Sequence, residues 1–164
     1  MLDWLLLGIA AAAGGASAGS GQEMAQAPAA VTAPAPAQYT AEDQTPSGKF
    51  TTAGEIKMIL TATKPQWVAV RLYEGQDILY FTQLLSWRCG LHQIKYAVNG
   101  GPMQTYDLPP CHMDLAAPNS MIDNDAMPIM GLAPNSVQSV DVEILYDDLS
   151  TDVASFQRAQ ILIP

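Results

Sequence analysis

The sequence predicts an all-β fold, an antiparallel β-sandwich or partly open barrel of about seven strands. Three observations favour it. Apolar residues recur mostly at every second position, turn-forming residues separate these runs, and no amphipathic helical pattern exceeds two turns. The expected strands lie at 55–63, 67–73, 77–85, 93–98, 103–108, 140–146 and 153–163. An α+β fold with one helix at 78–87 or 113–125 is the alternative.

The first expected strands differ in which faces they cover. In the run 55–63, the residues on one face would be Ile56, Met58, Leu60 and Ala62. The run 67–73 alternates in the same way, with Val68, Val70 and Leu72 on one side. The run 77–85 is apolar on both faces, which is typical of a central strand that is covered on both sides.

A hairpin is predicted around Asn99-Gly100-Gly101, because these residues tolerate positive φ. If the three-residue loop is centred on Gly100, residues whose numbers sum to 200 face each other, and Cys89 lies opposite Cys111. We therefore predict a Cys89–Cys111 disulfide at the open end of the hairpin. A disulfide that closes a loop of this length stabilises the fold by about 3 kcal/mol. Two buried thiols, or a ligand or catalytic role, are the alternatives.

Composition excludes several classes of protein. The chain has 164 residues with a formal net charge of −9 and two Cys. A nucleic-acid binder needs a surplus of Lys and Arg, and a multi-disulfide miniprotein or a four-cysteine zinc module needs more Cys. The length favours one domain, and the 49% apolar content suits a globular core.

The first residues predict export. Residues 4–13 form an apolar run that is too short to span a bilayer, and Ala16-Ser17-Ala18 is a small-residue cleavage pattern. Ala25-Gln26-Ala27 is a second such pattern. The first basic residue is Lys49, so the positive start of a signal peptide is missing, and an uncleaved anchor at 1–18 is the alternative. We expect a periplasmic or secreted protein that meets the membrane only through 1–18 if this segment is retained.

Residues 19–48 are rich in Pro and Ala, which favours a flexible or extended linker. The folded domain is then expected at 49–164. An exported chain also permits the predicted disulfide, because disulfides persist in oxidising compartments.

The stretch 109–136 is the most informative one. Five prolines punctuate it, and it holds four of the eight Met residues. Long Met- and Pro-rich loops can repack against a partner protein, although Met also fills gaps under loops. We interpret the protein as a non-catalytic envelope accessory or binding protein acting on an unidentified envelope partner, since no catalytic motif is present. The expected partner-binding residues are Met113, Met121, Met127, Ile129 and Met130.

A small-ligand or metal carrier is the alternative function. Thioether and imidazole groups suit Cu(I), and His92, His112 and Met113 lie near the two cysteines in sequence. Zinc on the two Cys and two His is less suitable, because the side chains of adjacent Cys111 and His112 diverge in an extended chain. The acidic stretches 123–125 and 147–152 could bind Ca²⁺ but match no EF-hand loop. No cofactor is expected.

Overall fold

The computed structural model describes residues 38–125 and 129–164, which belong to one compact unit spanning Ala37–Pro164. The expected signal or anchor, residues 19–37 of the expected linker, and Met127 lie outside the described residues. The strands are β1 Ala69–Tyr73, β2 Gln76–Tyr80, β3 Leu91–Val98, β4 Gln104–Thr105, β5 Ile129–Leu132, β6 Ser139–Tyr146 and β7 Thr151–Gln157. The helices are α1 Ala53–Ala62, α2 Thr82–Leu85 and α3 Arg158–Ile161, with short 3-10 helices at Lys64–Gln66 and Arg88–Gly90.

The described strands form two sheets, and every pairing between these strands is antiparallel. One sheet has the order β1-β2-β5, and the other has the order β4-β3-β6-β7. The expectation of a mainly antiparallel β protein is therefore confirmed. None of the helices within 38–125 and 129–164 is long and apolar enough to cross a membrane.

One hydrophobic core contains residues from both sheets and from α1. Strand β6 shows the alternation on which the fold prediction depended: Val140, Val142 and Ile144 are buried, and the residues between them are partly exposed. Leu79 of β2 and Ile94 of β3 are fully buried in the same core. Burial of each such side chain contributes about 2 kcal/mol.

The strand expected at 55–63 is wrong, because this segment is the helix α1. The Thr52 side chain accepts a hydrogen bond from the Glu55 amide, which caps the first turn. Ile56 and Leu60 are buried at the helical spacing of four, whereas Met58 is 82% exposed. Positions four apart share a face in a helix and also in a strand, so the capping signal decides between them.

Other expected elements also differ from the observed ones. The run 77–85 is divided, because β2 ends at Tyr80 and α2 begins at Thr82. Strand β5 lies inside the stretch 109–136 and pairs with β2, so that this stretch is not loop throughout. The last expected strand ends at Gln157, where Gln157 and Gln160 form a capping box for α3.

The predicted hairpin is confirmed, with its register. Lys95 pairs with Thr105 and Tyr96 with Gln104, so facing residues have numbers that sum to 200. Asn99 and Gly100 have φ of 54° and 68°, the positive values that the turn requires. The returning strand is shorter than expected, since β4 contains only two residues.

Candidate functional site

A cleft of about 550 Å³ opens at the base of the hairpin, and we call it the disulfide cleft. It lies between the chain that precedes α1 and the segment that follows β4. Its lining residues are Glu42, Asp43, Thr45, Ser47, Thr51, Thr52, Arg88, Cys89, Leu91, His92, Leu108, Pro109, Pro110, Cys111 and Met113. Polar and apolar side chains are mixed in it, as is usual for ligand-binding clefts.

The Cys89–Cys111 disulfide is present and lines the cleft, which confirms the predicted pairing. The two Cα atoms lie 5.0 Å apart, across the open end of the hairpin. The chain contains two Cys, and both are in this bridge. A disulfide is compatible with an oxidising, exported location.

Arg88 holds the segment after the disulfide in place from inside the protein. Its side chain is fully buried, and burial lowers its pKa although the nearby Asp125 carboxylate opposes this effect. Its Nε donates to the carbonyl of Pro110 (3.0 Å), Nη1 to those of Leu85 (3.2 Å) and Asn119 (2.5 Å), and Nη2 to that of Ser120 (2.8 Å). Four of its five N–H groups are thus used by carbonyl oxygens.

Asp125 supplies the negative charge beside Arg88. Its Oδ2 atom lies 3.5 Å from Arg88 Nη2 and 2.9 Å from His112 Nε2. The hydrogen bond from His112, together with one from the Ile122 amide, lowers the pKa of Asp125 below its usual value. The carboxylate is 3% exposed, so it serves this internal network.

Residues 39–48 form one wall of the cleft, and we call them the strap. Tyr39 stacks on His92 with ring centroids 4.8 Å apart, and His92 Nε2 lies 2.9 Å from the Thr40 carbonyl. Further along, the Glu42 amide donates to the Asp147 carbonyl at 2.8 Å. Contacts with the domain are therefore already present ten residues before Lys49, the residue at which the composition places the start of the domain.

At its end, the strap joins a hydrogen-bond network around the Glu55 carboxylate. This carboxylate accepts from the amides of Gly48 (2.6 Å) and Thr51 (3.0 Å) and from the hydroxyl of Ser47 (3.0 Å). Burial alone would raise the pKa of Glu55, but these hydrogen bonds lower it to about 2. The charge also lies in the first turn of α1, where it favours the helix.

The predicted metal ligands are engaged with protein groups. His112 Nε2 faces the Asp125 carboxylate, and His92 Nε2 faces the Thr40 carbonyl. Met113 Sδ lies 3.4 Å from Cys111 Sγ at the cleft. No group of three or more His, Cys, Asp or Glu within the described ranges is arranged to hold a metal ion.

The acidic stretches that suggested Ca²⁺ also make internal contacts. Asp147 accepts from the Ala53 amide at the start of α1. Asp148 pairs with Lys57, and Asp152 pairs with Lys64 at 2.6 Å.

The five predicted partner-binding residues occupy different environments. Met113 is 63% exposed beside the cleft, and Met121 is 40% exposed. Met130 lies on β5, packs against the core and is 3.5 Å from the Tyr96 hydroxyl. Ile129 is also in β5 and pairs with Tyr80 of β2, and Met127 lies outside the described residues. The exposed part of the predicted surface therefore includes Met113 and Met121, whereas Met130 is partly buried against the core.

The strap and Arg88 are the parts of the site that the sequence analysis missed. The Pro and Ala content of 19–48 predicted a linker. Tyr39 within this stretch, and the Thr52-x-x-Glu55 capping pattern that follows it, were signals of order in the sequence. Comparison with models of protein families, with curated proteins and with solved structures finds no match for this chain.

Proposed function

We propose that this protein is an exported, non-catalytic envelope accessory protein that binds a protein partner at the disulfide cleft and the adjoining Met113. The observation that carries the proposal is a cleft of about 550 Å³ with Met113, which is 63% exposed, at its edge. The segment that carries Met113 is fixed by buried contacts. Flexible thioether side chains adapt well to apolar groups of a partner.

The fixed position of the loop supports a binding role. Arg88 holds the carbonyls of Pro110, Asn119 and Ser120, and the disulfide fixes Cys111. A surface that is ordered before binding loses less conformational entropy on association, which favours affinity. Exposed Met113 then has a defined place from which to contact a partner.

A non-catalytic role is consistent with the side chains of the cleft. Both Cys of the lining are bonded to each other, and the Nε2 atom of His92 faces the Thr40 carbonyl. Cysteine in a disulfide offers no thiolate, so nucleophilic chemistry at these sulfur atoms would require reduction of the bridge.

Export is part of the proposal. The apolar run 4–13 with the Ala16-Ser17-Ala18 pattern favours a cleaved signal or an anchor, and the disulfide suits the periplasm or the exterior. We propose that the two sheets form a sandwich, because residues of both belong to one core. The partner is an envelope protein and not a nucleic acid, since the net charge of −9 would repel phosphates.

The copper(I) carrier is the second candidate, supported only by the position of Met113 next to the sulfur bridge. His112 would have to exchange Asp125 for the metal. An anaerobic Cu(I) titration with a competing chromophore tests it: a stoichiometric complex that is lost in the H112A/M113A variant supports the carrier, and no complex removes it.

Site-specific photo-cross-linking tests the binding function. A photoreactive phenylalanine replaces Met113 in one variant and Met58 in the matched control, because Met58 is 82% exposed but lies on α1. We expect a cross-linked product in envelope preparations from position 113 and not from position 58. The same product from both positions, or from neither, would contradict the proposal.

A further inference from the structure

We infer that the disulfide cleft binds a peptide segment through a lysine or arginine side chain, which the carboxylates of Glu42 and Asp43 hold at the mouth. The inference rests on the proposed function and specifies the chemistry of the partner. It follows from how the charged groups of the cleft are used within the protein.

The cationic group of the lining is not available to a ligand. The N–H groups of Arg88 are used by four carbonyls and face Asp125, and its side chain is fully buried. An anionic ligand would therefore have to displace buried hydrogen bonds to reach this charge, which costs more than the contact would return.

His92 is engaged in a similar way. Its Nε2 lies 2.9 Å from the Thr40 carbonyl, and its Nδ1 lies 3.6 Å from Glu42 Oε1. The imidazole is also covered by Tyr39, which stacks on it. The His92 ring is thus occupied by contacts with the strap and contributes little to the binding of an anion in the cleft.

The carboxylates at the strap, in contrast, remain accessible. The Glu42 side chain is 60% exposed, and Asp43 is exposed as well. Asp43 uses one oxygen, Oδ1, for the amide and the hydroxyl of Thr45, at 2.9 and 2.8 Å. These two bonds lower the pKa of Asp43, so it stays ionised at neutral pH.

The apolar part of the lining favours a peptide over a free cation. Leu91, Leu108, Pro109 and Met113 line the same cleft as the two carboxylates. A cavity of about 550 Å³ holds one long side chain with its flanking residues. A long basic side chain can lay its methylene groups along apolar surface while its charge reaches the carboxylates.

The test uses the full ¹⁵N-labelled chain and blocked pentapeptide pools, acetyl-X-X-Z-X-X-amide, in which Z is arginine, citrulline or glutamate. Citrulline matches arginine in shape but carries no charge. Amide shifts of cleft residues such as Thr45, Thr51 and Cys89 report binding. We expect the arginine pool to bind at least about threefold more tightly than the citrulline pool, because each exposed charge pair contributes up to about fivefold.

Variants assign this preference to the two carboxylates. E42Q/D43N keeps the acceptor for Thr45 and should remove the difference between arginine and citrulline. The control E74Q removes a charge from the turn between β1 and β2 and should retain the difference. Raising the salt concentration should weaken the arginine pool alone.

The outcomes separate the inference from the proposed function. Cleft shifts with equal affinity for arginine and citrulline, or tighter binding of glutamate, would overturn the inference and leave a binding cleft in place. Loss of the preference in E74Q as well would overturn the assignment to Glu42 and Asp43. If no pool shifts the cleft amides, the inference is overturned, and cross-linking at Met113 then decides the proposed function by itself.

Discussion

Replacing Arg88 by methionine should release the segment that carries the candidate binding surface. Methionine retains much of the apolar stem but none of the N–H groups that hold the carbonyls of Leu85, Pro110, Asn119 and Ser120. It also leaves Asp125 with one cation fewer in a site where its carboxylate is 3% exposed.

The magnitude follows from these contacts. A hydrogen bond to a charged group contributes about 1.5–3 kcal/mol, but the desolvation of the guanidinium offsets much of the sum of four. Removal of one partner from a buried ionic network costs about 3–5 kcal/mol, and we expect R88M to lower the free energy of unfolding by this amount. That loss is a large fraction of the stability of about 5–15 kcal/mol that is typical of a domain.

Urea denaturation followed by tryptophan fluorescence, to which the buried Trp67 contributes, measures this loss. Hydrogen exchange adds the location: the amides of 109–125 should exchange faster in R88M, while those of β3 and β6 should change less. The matched control is R71M, since Arg71 is exposed on β1. If R88M lies within about 1 kcal/mol of R71M, the reasoning about the buried network is wrong.

Three further predictions concern stability. Hydrogen bonds from Arg158 hold the pKa of buried Asp77 at about 2, so this carboxylate stabilises the native state above pH 4 and loses that effect as the pH falls towards 2. In R158M, only the amides of Val137 and Asn135 oppose the effect of burial on Asp77, so its pKa should be higher than in the parent protein. The stability deficit of R158M, about 3–5 kcal/mol in urea unfolding at pH 7, should therefore shrink by pH 4; a constant deficit would contradict the electrostatic cause. Reduction of the disulfide, whose cysteines are 22 residues apart, should cost about 3 kcal/mol in the same assay, and a cost below about 1 kcal/mol would be inconsistent with a constrained unfolded chain. G90A should lower the melting temperature, because the new Cβ would lie 2.6 Å from Ile56 Cδ1, whereas G54A meets nothing closer than 3.9 Å; equal melting temperatures would refute the clash.

The hairpin and the disulfide could be predicted because their determinants are local. The turn at Asn99-Gly100-Gly101 requires positive φ, and the turn length sets the register that brings Cys89 and Cys111 together. The alternation in β6 was equally clear, because one face of that strand is buried along its whole length.

Helix α1 shows where the pattern of apolar residues was insufficient. Ile56 and Leu60 satisfy a period of two as well as a helical spacing, so the apolar residues by themselves could not choose. The hydrogen bond between the Thr52 side chain and the Glu55 amide favours the helix. The Thr52-x-x-Glu55 pattern that forms it is visible in the sequence.

The network around Arg88 could not have been predicted from the sequence. Its acceptors include carbonyls 22 to 32 residues further along the chain, and every residue carries a carbonyl. Which of them turn towards Arg88 depends on the tertiary path of the segment after Cys111. The strap presents the same difficulty, because its anchors on Asp147 and His92 lie far away in sequence.

The turn, the strand pairing and the disulfide share one register, and this restricts how the hairpin between the two cysteines can change in length. One extra residue in a single arm would move Cys111 away from Cys89 and rotate the residues beyond it to the opposite face, unless a bulge absorbed it. Insertions or deletions in this hairpin therefore have to be matched, with one residue added or removed in each strand. An unmatched insertion would be accommodated more readily beyond Cys111, outside the closed ring.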